Sequence, residues 1–95
     1  MEIMSTLKKL YGKKSYANDR RKLNRKLKKA NIEYRWEKLY DGYKWYFSKY
    51  PNGDAIIHSG SYYNKSGCFE TMGMPWDEDD VTVLTANELV NKLKG

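Results

Sequence analysis

The stretch from Ile32 to Tyr50, IEYRWEKLYDGYKWYFSKY, limits the fold more than any other part of the chain. Its side chains alternate in kind about Asp41-Gly42, a pair favoured in two-residue hairpin turns of type I′. A turn there sets Tyr40 opposite Tyr43, Lys38 opposite Trp45, Trp36 opposite Phe47 and Tyr34 opposite Lys49. Alternation then gathers Tyr34, Trp36, Tyr40, Tyr43, Trp45 and Phe47 on one face. Glu33, Arg35, Glu37, Lys44 and Ser48 take the other. One oily face must be covered, so the chain needs a second layer. With nine Tyr, three Trp and two Phe in 95 residues, aromatic rings can fill a thin core, and Trp36, Trp45 and Phe47 are expected inside it.

The covering layer is legible on both sides of the hairpin. From Tyr16 to Ala30, a step of 100° per residue brings Tyr16, Leu23, Leu27 and Ala30 into one narrow arc. Arg21, Lys22, Arg25, Lys26, Lys28 and Lys29 spread over the opposite side, with Asp19 and Arg20 flanking the seam. Ser15 is placed to cap this helix, and Asn31 to end it in the left-handed conformation. A shorter helix is expected from Glu2 to Leu10. Near the C-terminus, Thr85 and Glu88 have capping-box spacing ahead of Ala86, Leu89, Val90 and Leu93.

Between these elements, Pro51-Asn52-Gly53-Asp54 reads as a turn, and Ala55 to Ser59 as a third strand. A two-residue loop turns Ile56 inward, whereas a bulged loop turns Ile57 inward. Ser59 to Gly67 reads as a loop, Cys68 to Met72 as a short fourth strand, and Val81 to Leu84 as strand-like. The expectation is a single α+β domain over 1–95. It comprises a basic helical segment (1–30), an antiparallel sheet of three to four strands (31–84) and a C-terminal helix (85–95).

Charge is distributed unevenly. Residues 1–29 carry eleven Lys or Arg against Glu2 and Asp19, a balance of +9; residues 30–95 carry seven basic and ten acidic side chains, a balance of −3. Solvated helices ordinarily intersperse Glu with Lys, but from Lys8 through Ala30 the only acid is Asp19. Crowded like charges cost stability, so the basic face is expected to serve an anionic partner, either nucleic acid or an acidic protein surface. The acidic turn Asp77 to Asp80 is the one local cluster that could lie over that face and neutralise it.

Signals for chemistry are sparse. The chain has one histidine, His58, and one cysteine, Cys68, too few for a zinc site. A lone cysteine forms no internal disulfide and suits a reducing cytoplasm. Trp76 to Asp80, WDEDD, lacks the alternating spacing of a calcium loop. Walker A, nucleophile-elbow and dinucleotide signatures are missing. No apolar run reaches membrane-spanning length, and the first residues lack the order of a signal peptide. Catalysis, cofactors and metals are therefore not expected.

Ser61-Tyr62, Gly67, Glu70, Met72-Gly73, Asp80-Val81, Leu84-Thr85-Ala86 and Glu88 resemble the tail of small uncharacterised phage and mobile-element proteins of Gram-positive bacteria. The start YGKKSYANDRRKLNRK is similar to the basic N-termini of some phage-encoded inhibitors of RNA-guided nucleases, the anti-CRISPR proteins. The resemblance implies a non-catalytic inhibitor in the bacterial cytoplasm whose partner is a host nucleoprotein complex such as a CRISPR nuclease. An accessory protein acting directly on DNA or RNA is the alternative. In both, the charge pattern, not the resemblance, makes Arg21, Lys22, Arg25, Lys26, Lys28 and Lys29 the expected interface, with Tyr62 and Tyr63 as secondary contacts. Monomer and dimer are both compatible with the sequence.

Overall fold

The computed structural model describes residues 16–59, 67–78 and 80–95. The expected helix from Glu2 to Leu10, Ser15 and the pair Tyr62 and Tyr63 lie outside them. The described chain is α+β: helix α1 (Ala17–Lys29), strands β1 (Tyr34–Leu39), β2 (Gly42–Phe47), β3 (Tyr50–Ile57), β4 (Cys68–Met72) and β5 (Thr82–Thr85), then helix α2 (Ala86–Lys94). The strands form one antiparallel sheet in the order β1-β2-β3-β4-β5. The sheet thus has five strands rather than three to four, because β5 adds to the far edge.

Pleating directs Tyr43, Trp45 and Phe47 of β2, Ala55 and Ile57 of β3, Phe69 of β4 and Leu84 of β5 into the core. Leu23 and Leu27 of α1 and Leu89 and Leu93 of α2 press onto them, all completely or almost completely buried. Replacing Leu or Ile by Ala at such sites ordinarily costs about 2–5 kcal/mol. Two polar ties fix α1 on the sheet. Trp45 Nε1 donates to Asn24 Oδ1 at 2.7 Å, and an Arg20 guanidinium N–H donates to the Tyr43 hydroxyl at 3.2 Å.

The ends of both helices follow from local chemistry. At the start of α1, Tyr16 occupies the cap position and provides no side-chain cap. The first-turn carboxylate of Asp19 complements the positive end of the helix. At the other end Asn31 adopts φ 58°, Asn31 N–H bonds to Lys28 O and Ile32 N–H to Leu27 O, each at 3.0 Å. That pair closes a Schellman motif. For α2, Glu88 N–H donates to Thr85 Oγ1 at 3.2 Å, and Thr85 N–H donates to Glu88 Oε1 at 2.9 Å. Replacing Thr85 with Ala is expected to lower stability by about 1 kcal/mol, read as a lower urea midpoint. The last carbonyls of α2 are met from the sheet, where Lys49 Nζ donates to Leu93 O and Gly95 O at 3.1 and 2.8 Å.

Both hairpins differ from expectation. Leu39 pairs with Gly42, Trp36 with Trp45 and Tyr34 with Phe47, so the first loop is Tyr40-Asp41. Gly42 is already in β2, where a Cβ would lie 1.7 Å from Ile57 O and 2.8 Å from His58 Cα. Glycine stands there to let β3 approach, leaving Tyr40 to take the positive φ of 55°. Tyr40 is therefore 82% exposed rather than part of the aromatic core face. Asp41 Oδ1 accepts from Ser59 N–H at 3.0 Å. Slight burial pushes this carboxyl up, but hydrogen bonds from Ser59 outweigh it and hold its pKa below the ordinary value. The contact's stability is present above the ordinary value and is lost as pH falls through the lowered one.

The second turn is Ser48-Lys49, not Pro51 to Asp54. Phe47 pairs with Tyr50 and Tyr46 with Asp54, which loops Pro51, Asn52 and Gly53 out of the ladder as a bulge in β3. Proline, which has no N–H to give, fits an unpaired position. The bulge sets the register that buries Ile57.

Candidate nucleic-acid interface

The ties from Arg20 and Asn24 orient α1. Arg20, Arg21, Asn24 and Lys28 lie on the flank toward β1 and β2, and Lys22, Lys26 and Lys29 on the flank toward α2. Arg25 crests the outer side. Arg21, Lys22, Arg25, Lys28 and Lys29 are exposed and Lys26 is half-buried. All six predicted interface residues therefore occupy one continuous outer surface of a single helix.

No carboxylate among the described residues comes within ion-pair distance of those six side chains. Asp19 is buried, and its Oδ2 has no hydrogen-bond partner there; it lines a cleft with Lys22 and Lys26 but forms no ion pair with either. The Lys44–Asp54 pair, 3.7 Å apart, lies on the sheet face opposite the helices.

The acidic turn is occupied with its own backbone. Asp77 is buried; its Oδ1 accepts from the Thr71 hydroxyl at 2.8 Å and its Oδ2 from Met74 N–H at 3.0 Å. Trp76 Nε1 donates to the same Thr71 oxygen at 3.0 Å. Asp80 Oδ1 accepts from Val81 N–H at 2.8 Å. Asp77 holds together the corner after β4, and neither it, Glu78 nor Asp80 forms an ion pair with α1.

The structure adds a second wall that periodicity could not show. Between α1 and α2 runs an open groove of ≈ 490 Å³, floored by Ala30 and Val90, with Lys26 and Lys29 on one side and Asn91 and Lys94 on the other. Ammonium groups from both helices line it, and the amide of Asn91 offers donors to oxygen. Lys94 carries no recognisable signal in the sequence, because only the packing of α2 beside α1 brings it there.

The sheet edge holds a further departure. Trp36, expected in the core, is 41% exposed. It lies on the edge strand β1, where the Arg20 guanidinium of α1 stands over its ring at 4.8 Å.

His58 is buried, its ring set edge-on to Tyr40 with centroids 5.3 Å apart. Cys68 is a half-buried free thiol. Among the described residues no three His, Cys, Asp or Glu side chains gather as metal ligands, and no helix is long and apolar enough to cross a membrane. Compared with protein-family descriptions, curated proteins and solved structures, the chain matches none.

Proposed function

We propose that this chain is a non-catalytic binding protein that grips nucleic-acid phosphates with the outer side of α1. We further propose that it inhibits a host nucleoprotein machine of the RNA-guided nuclease type by occupying it. The observation that carries the reading is the row of six cations, Arg21 to Lys29, unneutralised by any described carboxylate. Mutual repulsion along one helix is relieved when phosphates displace their own counterions to meet it. Lysines outnumber arginines in that row, which favours point-charge contact with a backbone over bidentate reading of base edges. Sequence-independent affinity is the expected result. The groove walled by Lys26, Lys29 and Lys94 gives such a backbone a track.

The inhibitor part of the reading rests on the resemblance of the basic start to anti-CRISPR proteins. The alternative, an accessory protein acting on bare DNA or RNA, draws on the same surface. Affinity capture from a bacterial lysate, with and without nuclease treatment, separates the two. An inhibitor retains a defined protein complex after digestion, or loses one whose guide has been destroyed. An accessory protein captures nucleic acid with no recurrent protein. Capture of a nucleic-acid-free protein assembly indifferent to Lys22, Arg25, Lys26 and Lys29 would contradict both.

A further inference from the structure

We propose that the nucleic acid is single-stranded where it meets this protein, with one base stacked on the Trp36–Arg20 platform. The inference rests on the phosphate-binding reading above and names the form of its ligand.

Tryptophan is highly buried on average, yet Trp36 leaves 41% of its surface in solvent. Its position is nevertheless fixed. Its ring meets Tyr43 edge-on, centroids 5.5 Å apart and planes at 77°. The Arg20 guanidinium lies 4.8 Å from the Trp36 centroid and 4.9 Å from that of Tyr43, and it is held by its bond to the Tyr43 hydroxyl. Lys38, two residues along the same face of β1, places Nζ 5.5 Å from the Tyr43 ring. An exposed indole, a fixed guanidinium plane and the ammonium of an exposed lysine thus converge on the sheet edge beside α1.

That combination suits a strand whose bases are turned outward. In a duplex each base face is covered by its neighbours, so an aromatic surface gains nothing without intercalation. In a single strand the faces are available, and both indole and guanidinium planes stack on them. Arg20 belongs to α1, so the platform is continuous with the flank bearing Arg21 and Lys28. A strand with phosphates along that flank has its bases beside Trp36. Because every base has a π-face, stacking keeps the contact indifferent to sequence.

The test titrates the whole chain, Trp36→Leu and Lys38→Glu with a single-stranded oligonucleotide and with a duplex of equal length, following anisotropy and tryptophan emission. Trp45 is fully buried and Trp76 half-buried in the corner after β4, so the part of the quench that Trp36→Leu removes is the part that Trp36 carries. The expected result is tighter binding of the single strand with quenched emission. Trp36→Leu should lose the quench and about 5- to 150-fold in single-strand affinity, with duplex affinity nearly unchanged. Lys38→Glu, at an exposed site that does not threaten folding, should also weaken the single strand selectively. Equal affinity for both forms, unchanged by either substitution, would overturn this inference and leave the phosphate reading standing. Failure of the unaltered chain to bind either form would overturn both. If Trp36→Leu unfolds, unchanged single-strand affinity in Lys38→Glu would overturn the inference.

Discussion

Replacing Lys22, Arg25, Lys26 and Lys29 together with Glu should, on the proposed reading, reduce nucleic-acid affinity by about 10²- to 10³-fold at physiological salt and abolish inhibition of the proposed target machine. Without its cation, each phosphate keeps roughly one counterion that binding would have released, and that release is worth several-fold in affinity at this salt concentration. Four such effects multiply, and four new carboxylates repel the backbone. The formal net charge moves from +6 to −2, since each reversal changes it by two. The fold should survive, because three of the four side chains are exposed and the fourth is half-buried over the groove. Carboxylates in the last turn oppose the helix dipole by about 0.3–1 kcal/mol each. Thermal unfolding should therefore accompany the binding assay, and Lys26→Gln with Lys29→Gln gives a gentler pair. A folded quadruple variant that still inhibits would remove α1 from the mechanism.

Gly42→Ala should be the most damaging single substitution for stability. A methyl group there meets Ile57 O at 1.7 Å and Ile57 C at 2.7 Å. Both are backbone atoms of the neighbouring strand, so no rotamer change relieves the overlap. Relief requires prising β2 from β3 where Tyr43 pairs with Ile57, and both residues are buried. The expected cost is about 3–5 kcal/mol, in the range of severe core lesions. For a domain of this size that lowers the melting temperature by roughly 15–30 °C. A shift under about 5 °C would mean that Gly42 serves the turn and not the strand contact. Gly53→Ala is a milder contrast: its tightest neighbour is the side-chain sulfur of buried Met74 at 2.6 Å, while the backbone atoms Gly73 C and O stand at 3.0 Å, short of the overlap at Gly42.

Gly42 also shows why the hairpin was legible in existence but not in register. Asp41-Gly42 has the composition of a type I′ turn, and local propensity places the loop on it. The approach of β3 is a long-range demand, and it recruits the glycine one position into the strand. Pro51-Asn52-Gly53 repeats the pattern: residues that make turns in isolation make a bulge here, because the actual reversal has already closed at Ser48-Lys49. The seam of α1 and the Thr85–Glu88 box were readable because both depend on neighbours within one or two turns. The cations of the candidate interface were equally plain as a cluster, their spacing on the helix being a matter of chain geometry. Lys94 in the groove and Arg20 over Trp36 were not, since each is created by packing between elements distant in sequence. The exposure of Trp36 follows from where the helices stop covering the sheet, a quantity that alternation along a strand does not contain.

The most direct measurement is affinity for a short duplex oligonucleotide as a function of salt concentration. If four to six cations of α1 each meet a phosphate, log affinity should fall against log salt with a slope of about −4 to −5. The quadruple charge reversal should flatten that slope. A slope between zero and −1 in the unaltered chain, or no binding of either a duplex or a single strand at about 50 mM salt, where phosphate contacts are strong, would contradict the claim that this helix is built to hold a polyanion.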